Sequence, residues 1–261
     1  MLFDTHAHLD FDAFDADRDA VVDRAIKAGI SGIVNPGCDV TTSRSAIALA
    51  ARYSGLVYAA VGIHPNNTAE ARPGDAKEIA RLASQDGVVA IGETGLDWYR
   101  DHAPRDVQIN AFKGHLELAL ELDLPVIIHF REVEMDGVEA VGTDLLRRVH
   151  GVFHCFGGSA DFAERLVSWG FYIGFDGPLT YRNSDRAEVA ETVPFERCLI
   201  ETDAPFLTPQ SNRGRRNEPA FVAEVAGTLA RVKGVSVDEA VEITGANART
   251  LFGIDPAGGA P

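Results

Sequence analysis

The opening run Met-Leu-Phe-Asp-Thr-His-Ala-His-Leu-Asp places His6 and His8 two residues apart, where an apolar segment gives way to polar chain. Side chains at that spacing on a strand point to one face, so both imidazoles aim at one spot. A catalytic metal needs rigid backing behind its ligands and open coordination in front, and a strand end supplies both. Similar groups close other short apolar runs. They are His64 in Gly-Ile-His-Pro, Glu93 in Ala-Ile-Gly-Glu, His129 in Val-Ile-Ile-His, His154 in Val-Phe-His-Cys and Asp203 in Leu-Ile-Glu-Thr-Asp-Ala-Pro. Each alone has a plainer reading. A histidine after an apolar run is commonly a partly buried hydrogen-bonding side chain, and Asp203 before Ala-Pro suits a helix cap. Of the eight histidines only His102, His115 and His150 fall elsewhere, so the rest together read as a site. His115 lies in a helical pattern and His150 precedes a strand, which makes both structural.

Groups on separate segments converge only if the fold gathers the segment ends. Strand candidates are Leu2–His6, Gly32–Pro36, Val57–Ile63, Val88–Gly92, Val126–His129, Val152–Cys155, Phe171–Phe175 and Cys198–Glu201. Helical patterns alternate with them, including Arg18–Ala28, Ala76–Ala83, Val107–Leu122, Asp161–Ser168 and Asp185–Thr192, with Gly29, Gly87 and Gly170 as left-handed stops. Helices near Pro219–Lys233, Val237–Ile243 and Ala246–Phe252 follow the last strand. Eight βα units without a linker or composition break predict an α/β fold, a single (β/α)8 TIM barrel over residues 1–254, with 255–261 as a tail. Such a barrel carries its functional groups at the carboxyl ends of its strands, where these residues fall.

Five strands thus offer six nitrogen or oxygen ligands: His6, His8, Glu93, His129, His154 and Asp203. Six are too many for one open catalytic ion and suit two divalent ions about 3.5–4 Å apart. Glu93 is the natural bridge, because a carboxylate has two oxygens and an imidazole one usable nitrogen. Imidazole and carboxylate donors suit Zn²⁺, Mn²⁺, Fe²⁺ or Co²⁺, and oxygen cages suit Mg²⁺; the sequence leaves the choice among Mg, Mn and Zn open. No serine or cysteine stands with a paired base, so metal-activated water is the expected nucleophile. Asp203 can ligate and accept a proton, and Glu201, two residues earlier and deeper, supports the ligands from behind.

The chain has 261 residues, 46% hydrophobic and 24% charged, enough for a large core. Its formal charge of −15 repels nucleic acid at long range, so a nucleic-acid role must rest on a local basic patch or on metal ions. Cys38, Cys155 and Cys198 are odd in number and widely spaced, which predicts a reducing compartment. With no signal-like start and no long apolar run, a cytoplasmic location without membrane contact is expected.

Several motifs extend the pattern. They are Asp-Thr-His-Ala-His-Leu-Asp at 4–10, Gly-Ile-His-Pro at 62–65, Ile-Gly-Glu-Thr-Gly-Leu-Asp at 91–97 and Pro-Val-Ile-Ile-His at 125–129. His-Cys-Phe-Gly-Gly-Ser at 154–159, Gly-Phe-Tyr-Ile-Gly-Phe-Asp-Gly-Pro-Leu-Thr at 170–180 and Leu-Ile-Glu-Thr-Asp-Ala-Pro-Phe-Leu at 199–207 continue it. Arg-Asn-Glu-Pro at 216–219 and Asn-Ala-Arg-Thr-Leu-Phe-Gly at 247–253 close it. In these the chain resembles the TatD family of metal-dependent deoxyribonucleases, within the amidohydrolase-type barrels. The resemblance implies a cytoplasmic hydrolase with His6, His8, Glu93 and Asp203 on one metal and Glu93, His129 and His154 on the other. One departure is visible. Family members usually continue the fifth-strand histidine as His-Ser-Arg, then an acidic residue and Ala. Here the chain reads His129-Phe130-Arg131-Glu132-Val133, followed by an acidic loop over Glu134–Glu139.

Phosphodiester cleavage needs cations against the phosphate besides the metals. The candidates are Arg100, Arg131, Arg182, Arg213, Arg215 and Arg216, although Arg213 and Arg215 also suit a solvated loop. Trp98, Tyr99 and Tyr181 offer stacking surfaces for single-stranded bases, and His64 can contact the scissile phosphate or shuttle a proton. The expected activity is exonuclease hydrolysis at DNA strand ends, since a barrel mouth on an acidic protein suits a strand end better than a long duplex, and the resemblance implies the 3'-5' direction, which the residues themselves leave open. Catalytic roles then fall to Asp203, Glu93 and His64, and substrate contacts to Arg100, Arg131, Tyr181 and Arg216. Two alternatives remain. One is ester or amide hydrolysis, for instance of aminoacyl-tRNA or a small cyclic amide. The other is a non-catalytic quality-control barrel.

Overall fold

The computed structural model describes residues 1–100 and 102–255. Its first half runs β1 (Leu2–Asp4), α1 (Arg18–Lys27), β2 (Ile30–Pro36), α2 (Val40–Arg52), β3 (Val57–Val61), α3 (Asp75–Ala83), β4 (Val88–Asp97) and α4 (Arg105–Leu122). The second runs β5 (Val126–Arg131), α5 (Met135–Val141), α6 (Thr143–Leu146), β6 (Gly151–Phe153), α7 (Ala160–Ser168), β7 (Tyr172–Phe175), α8 (Arg186–Thr192), β8 (Cys198–Ile200), α9 (Val222–Lys233) and α10 (Val237–Phe252). All eight strands are parallel and stand in chain order in one sheet. This is the TIM barrel that the alternating pattern predicts.

Local chemistry sets the helix ends. Asp39 and Thr42 exchange side-chain and backbone hydrogen bonds as a capping box on α2, and Ser159 and Ser236 cap α7 and α10. Gly29 and Gly170 stop α1 and α7 as expected, with φ of +85° and +96°, whereas Gly87, at +82°, lies in the turn before β4 because α3 already ends at Ala83 with Ser84 as its cap.

Alternate strand residues face opposite sides, and two apolar clusters divide the core accordingly. Ile33, Ile91, Ile128 and Ile173 face the helices. Phe3, Val34, Tyr58, Ile127, Val152 and Leu199 fill the interior, together with Ala248, Leu251 and Phe252 of α10, which plug the amino end. Phe3 stacks between Tyr58 and Phe252 at centroid distances of 6.3 and 6.5 Å. Two residues beyond Ile127, Val152 and Leu199, on the same inward face, come His129, His154 and Glu201. The interior therefore changes from apolar to polar at its carboxyl end.

Residues just beyond β1 and β8 close the ring. Thr5 N–H donates to Ile200 O at 3.2 Å, Asp203 N–H to His6 O at 2.8 Å, and His8 N–H to Ala204 O at 2.8 Å. Buried Asp4 clamps this seam by accepting from Thr202 N–H at 2.9 Å and Thr202 Oγ1 at 2.6 Å.

Two expectations need correction. Val237–Ile243 and Ala246–Phe252 are one helix, α10, which passes through Gly245 because a Cβ there would run into the Met1 carbonyl. Glu134–Glu139 is not a loop but largely helix α5. Val138 and Val141 sink into the core at helical spacing, and Asp136 accepts from the N–H groups of Glu134 and Gly137. Of the expected tail, residues 256–261 lie outside the described residues. Among the described residues no helix is long and apolar enough to cross a membrane.

Candidate metal centre

Glu93 lies in the middle of β4, which runs on to Asp97 rather than stopping at Gly92 as the sequence suggests, and its two carboxylate oxygens face different histidine pairs. Oε2 stands 3.3 Å from His6 Nε2 and 3.6 Å from His8 Nε2. Oε1 stands 2.8 Å from both His129 Nδ1 and His154 Nε2. Asp203 Oδ1 completes the first group at 3.7 Å from His6 and 3.5 Å from His8. His64 joins the second, with Nε2 at 3.4 Å from Glu93 Oε1. Backbone packing allows this approach. Gly95 passes so close to β5 that a Cβ there would run into the His129 carbonyl oxygen.

The donor set fits divalent metal. Two donors each about 2.1 Å from one ion, at octahedral to tetrahedral angles, stand about 3.0–3.4 Å apart. The His6 and His8 nitrogens are 3.2 Å apart, and those of His129 and His154 are 3.1 Å apart. Paired imidazole nitrogens converging on buried carboxylates are the chemistry of a cation site. Ligand-capable groups of three within 4.8 Å of one another include His6–His8–Asp203, His6–Glu93–His154 and His64–Glu93–His129.

Acidic or polar groups stand behind most of the imidazoles. His129 Nε2 faces Asp97 Oδ2 at 3.5 Å, and Asp97 is itself held by Asn66 Nδ2 at 2.9 Å and the N–H groups of Tyr99 and Arg100 at 3.0 Å. His154 Nδ1 faces Glu201 Oε1 at 3.6 Å, and Glu201 accepts from Thr5 Oγ1 at 3.1 Å and from Cys155 N–H. Gly174 makes room for that carboxylate. Cys38 Sγ lies 4.0 Å from His8 Nδ1, with its thiol pushed up to about 11 by burial. Glu201 thus stands in the supporting position its place in the sequence suggests. Asp97 was legible only as the last residue of the Glu-Thr-Gly-Leu-Asp motif. Its even spacing from Glu93, which puts both on one face of β4, was the available signal.

Burial and charge oppose each other throughout. Burial alone would raise Glu93, yet the surrounding histidines, His154, His64 and His6 first, hold it well below the ordinary carboxylate range. Burial likewise raises Asp203, but His8 and His6 win and keep it ionised. Burial pushes His6 and His64 down. In His129 and His154 burial acts the same way but the facing carboxylates prevail, Asp97 with Glu93 and Glu93 with Glu201, so both rise. His64 Nδ1 accepts from Asn66 N–H at 3.1 Å, which leaves the proton of the neutral ring on Nε2.

Above the cluster opens a cavity of about 1150 Å³. Arg100 and Arg131 line it, as the sequence suggests, with the Arg131 guanidinium 4.3 Å above the exposed Tyr99 ring. The structure does not bring Arg216 or Tyr181 into its wall. Arg216 pairs with both oxygens of Asp17 at 2.8 Å and covers the Phe14 ring at 4.5 Å. Tyr181 donates to Thr208 O at 3.0 Å and lies under Arg213. Trp98 is covered by Arg105 at 4.2 Å. Arg186, on the first turn of α8, was not foreseen. It lines the cavity and donates to Cys155 O at 3.2 Å. His102 and Cys155 also reach the wall.

Comparison with known proteins agrees with this architecture. Residues 3–253 match the family described as TatD related DNase. A metal-dependent hydrolase of Bacillus subtilis, YabD, is 41% identical over 256 residues, covering 98% of this chain and 100% of that protein. The 3'-5' ssDNA/RNA exonuclease TatD of Erwinia amylovora is 37% identical over 259 residues, covering 97% of this chain and 100% of that protein. The crystal structure of YJJV, a TatD homologue from Escherichia coli, superposes with a TM-score of 0.90 at 33% identity, covering 97% of this chain and 98% of that one.

Proposed function

The chain belongs to the family of TatD-related DNases and is a metal-dependent hydrolase, and from that premise we propose that it removes nucleotides from the 3' ends of single-stranded DNA with two divalent ions. The division of Glu93 between two histidine pairs carries this reading, because a carboxylate shared in that way suits two ions rather than one. His6, His8, Glu93 and Asp203 would hold one ion, and Glu93, His129 and His154 the other. When bound, the ions supply Lewis acidity, polarising a phosphoryl oxygen and acidifying water.

The chain's own groups do the rest. Ionised Asp203, beside His6 and His8, orients the attacking water and takes its proton. Neutral His64 presents its Nε2–H to a phosphate oxygen. Arg100, Arg131 and Arg186 offset the strand's negative charge, which an acidic protein must do locally. Asp97 and Glu201 fix the rings of His129 and His154. The recessed cavity admits a flexible end more readily than the middle of a duplex. The reading also takes residues 1–254 as one domain, and it takes the free thiols Cys38, Cys155 and Cys198 as a sign of the cytoplasm.

The test is metal-loaded protein on end-labelled oligonucleotides, single- and double-stranded, beside ester and amide substrates. Stepwise mononucleotide release from single strands is expected. Intact metal content without such release, or turnover of esters or amides alone, would overturn the proposal.

A further inference from the structure

Phe206 is 51% exposed and stands in the cavity wall three residues after Asp203. Single exposed apolar side chains are ordinary and carry nothing by themselves. This one is unusual in how it is held. Its N–H donates to Asp203 O at 2.9 Å, and fully buried Asn217 donates through Nδ2 to the carbonyls of Phe206 at 2.6 Å and Thr202 at 2.8 Å. The backbone that carries the ring is thus fixed to the backbone that carries a metal-centre carboxylate.

The ring also belongs to an aromatic corner. Phe206 meets Phe11 edge-to-face, with centroids 6.0 Å apart and planes at 76°. Phe11 lies over His8 at 4.5 Å and 25°, and Phe206 is 6.5 Å from the same imidazole. Phe11 and Phe206 follow β1 and β8 at the seam. Arg100 follows β4 and Arg131 ends β5, half-way round the eight-stranded ring. The cavity therefore sets an aromatic corner at the seam against the guanidinium groups of Arg100 and Arg131 across from it, where Glu132, Glu134 and Asp136 also reach the wall, with Arg186 in the wall beyond β7 and Glu93 below.

A single nucleic-acid strand has the matching asymmetry, since each nucleotide pairs an uncharged π-face with an anionic phosphate. Apolar rings cannot hold a phosphate, but they stack on any base. Each of the other candidate platforms carries a guanidinium on its ring, Trp98 that of Arg105, Tyr99 that of Arg131 and Tyr181 that of Arg213, whereas Phe206 carries none among the described residues. Resting on the nuclease reading above, we propose that Phe206, backed by Phe11, is the platform on which the terminal nucleobase stacks. That placement sets the scissile phosphodiester over Glu93 and turns the remaining strand toward Arg100 and Arg131.

A double-mutant cycle between protein ring and substrate base tests this. Wild type, Phe206→Ala and Phe206→Trp are compared on a single strand whose released end carries either an ordinary nucleotide or an abasic one. Metal content and melting temperature are checked for each protein. In wild type, removing the base should raise KM about tenfold or more with kcat little changed. Phe206→Ala should show the same rise on the ordinary end and no further rise on the abasic end, and Phe206→Trp should restore the wild-type value. An equal loss for Phe206→Ala on both ends would mean that the ring does not hold the base, and would overturn the proposal. No nucleotide release by metal-loaded wild type from any strand would instead remove the nuclease reading, and the platform with it.

Discussion

The carbonyl oxygen of His6 accepts a hydrogen bond from the N–H of Asp203 at 2.8 Å, so two groups of the candidate metal centre are tied through the backbone while their side chains approach to 3.7 Å. One follows the first strand of the barrel and the other follows the last. The seam between them is held by Asp4, Thr5 and Thr202, and it sets the spacing of His6, His8 and Asp203 before any ion arrives.

Glu93→Gln keeps the shape of the side chain but replaces one oxygen by an NH2 group that cannot ligate. Bound divalent metal should fall from two per chain toward one, and turnover at least about 100-fold. Elemental analysis after gel filtration measures the first quantity. Two ions retained per chain would remove Glu93 from the bridging position.

Asp97→Asn should act through His129. The fold should persist, since among the described residues the Asp97 carboxylate bonds only to Asn66 and the N–H groups of Tyr99 and Arg100 besides the imidazole, and its backbone bonds to Gln108 are untouched by the change. Affinity for the ion on the His129 side should fall about 10- to 100-fold. Competition with a chromogenic chelator reads this without reference to activity, and unchanged affinity would assign Asp97 to loop structure alone.

Asp4 gives the fold a dependence on pH. Burial pushes its carboxyl up to about 8, against the partial relief of bonds from Thr202 and His6. Below about pH 4 both folded and unfolded chains hold the proton, and the contribution is complete. As pH rises toward 8 the unfolded chain releases a proton that the folded chain keeps, so stability falls by up to about 1.4 kcal/mol per pH unit. In chelator, the difference between wild type and Asp4→Asn in urea denaturation should therefore change with pH across that window. A difference independent of pH would show that Asp4 is ionised throughout.

Arg131→Ala and Arg216→Ala should separate substrate contact from packing. The first should raise KM for oligonucleotides and make it less sensitive to salt, since a phosphate contact is lost. The second should leave KM unchanged and lower stability by no more than about 1 kcal/mol, because the Asp17 pair is largely solvated. A KM effect of Arg216→Ala equal to that of Arg131→Ala would mean that the guanidinium leaves Asp17 to reach substrate.

The eight strands were legible because parallel strands buried on both faces read as short apolar runs, and the site residues because each closes such a run. Helix α10 was misread at Gly245. Glycine weakens a helix locally, and only the neighbouring Met1 carbonyl explains its presence. The substrate-facing arginines were legible only in part. Nothing local in the Arg213–Arg216 cluster reveals that Asp17, close in space but far in sequence, takes up Arg216. Phe206 was hidden for a similar reason. Its exposure depends on how Asn217 pins the chain beside it, a contact between separate segments.

The seam has a bearing on biosynthesis. A ribosome delivers β1 well before β8, and chains fold from the amino end as they emerge. His6 and His8 must wait for Asp203, and every shorter nascent chain lacks one wall of the centre. Under the proposed roles, catalytic competence waits until the chain has been made past Asp203, and a product truncated before it should be inert.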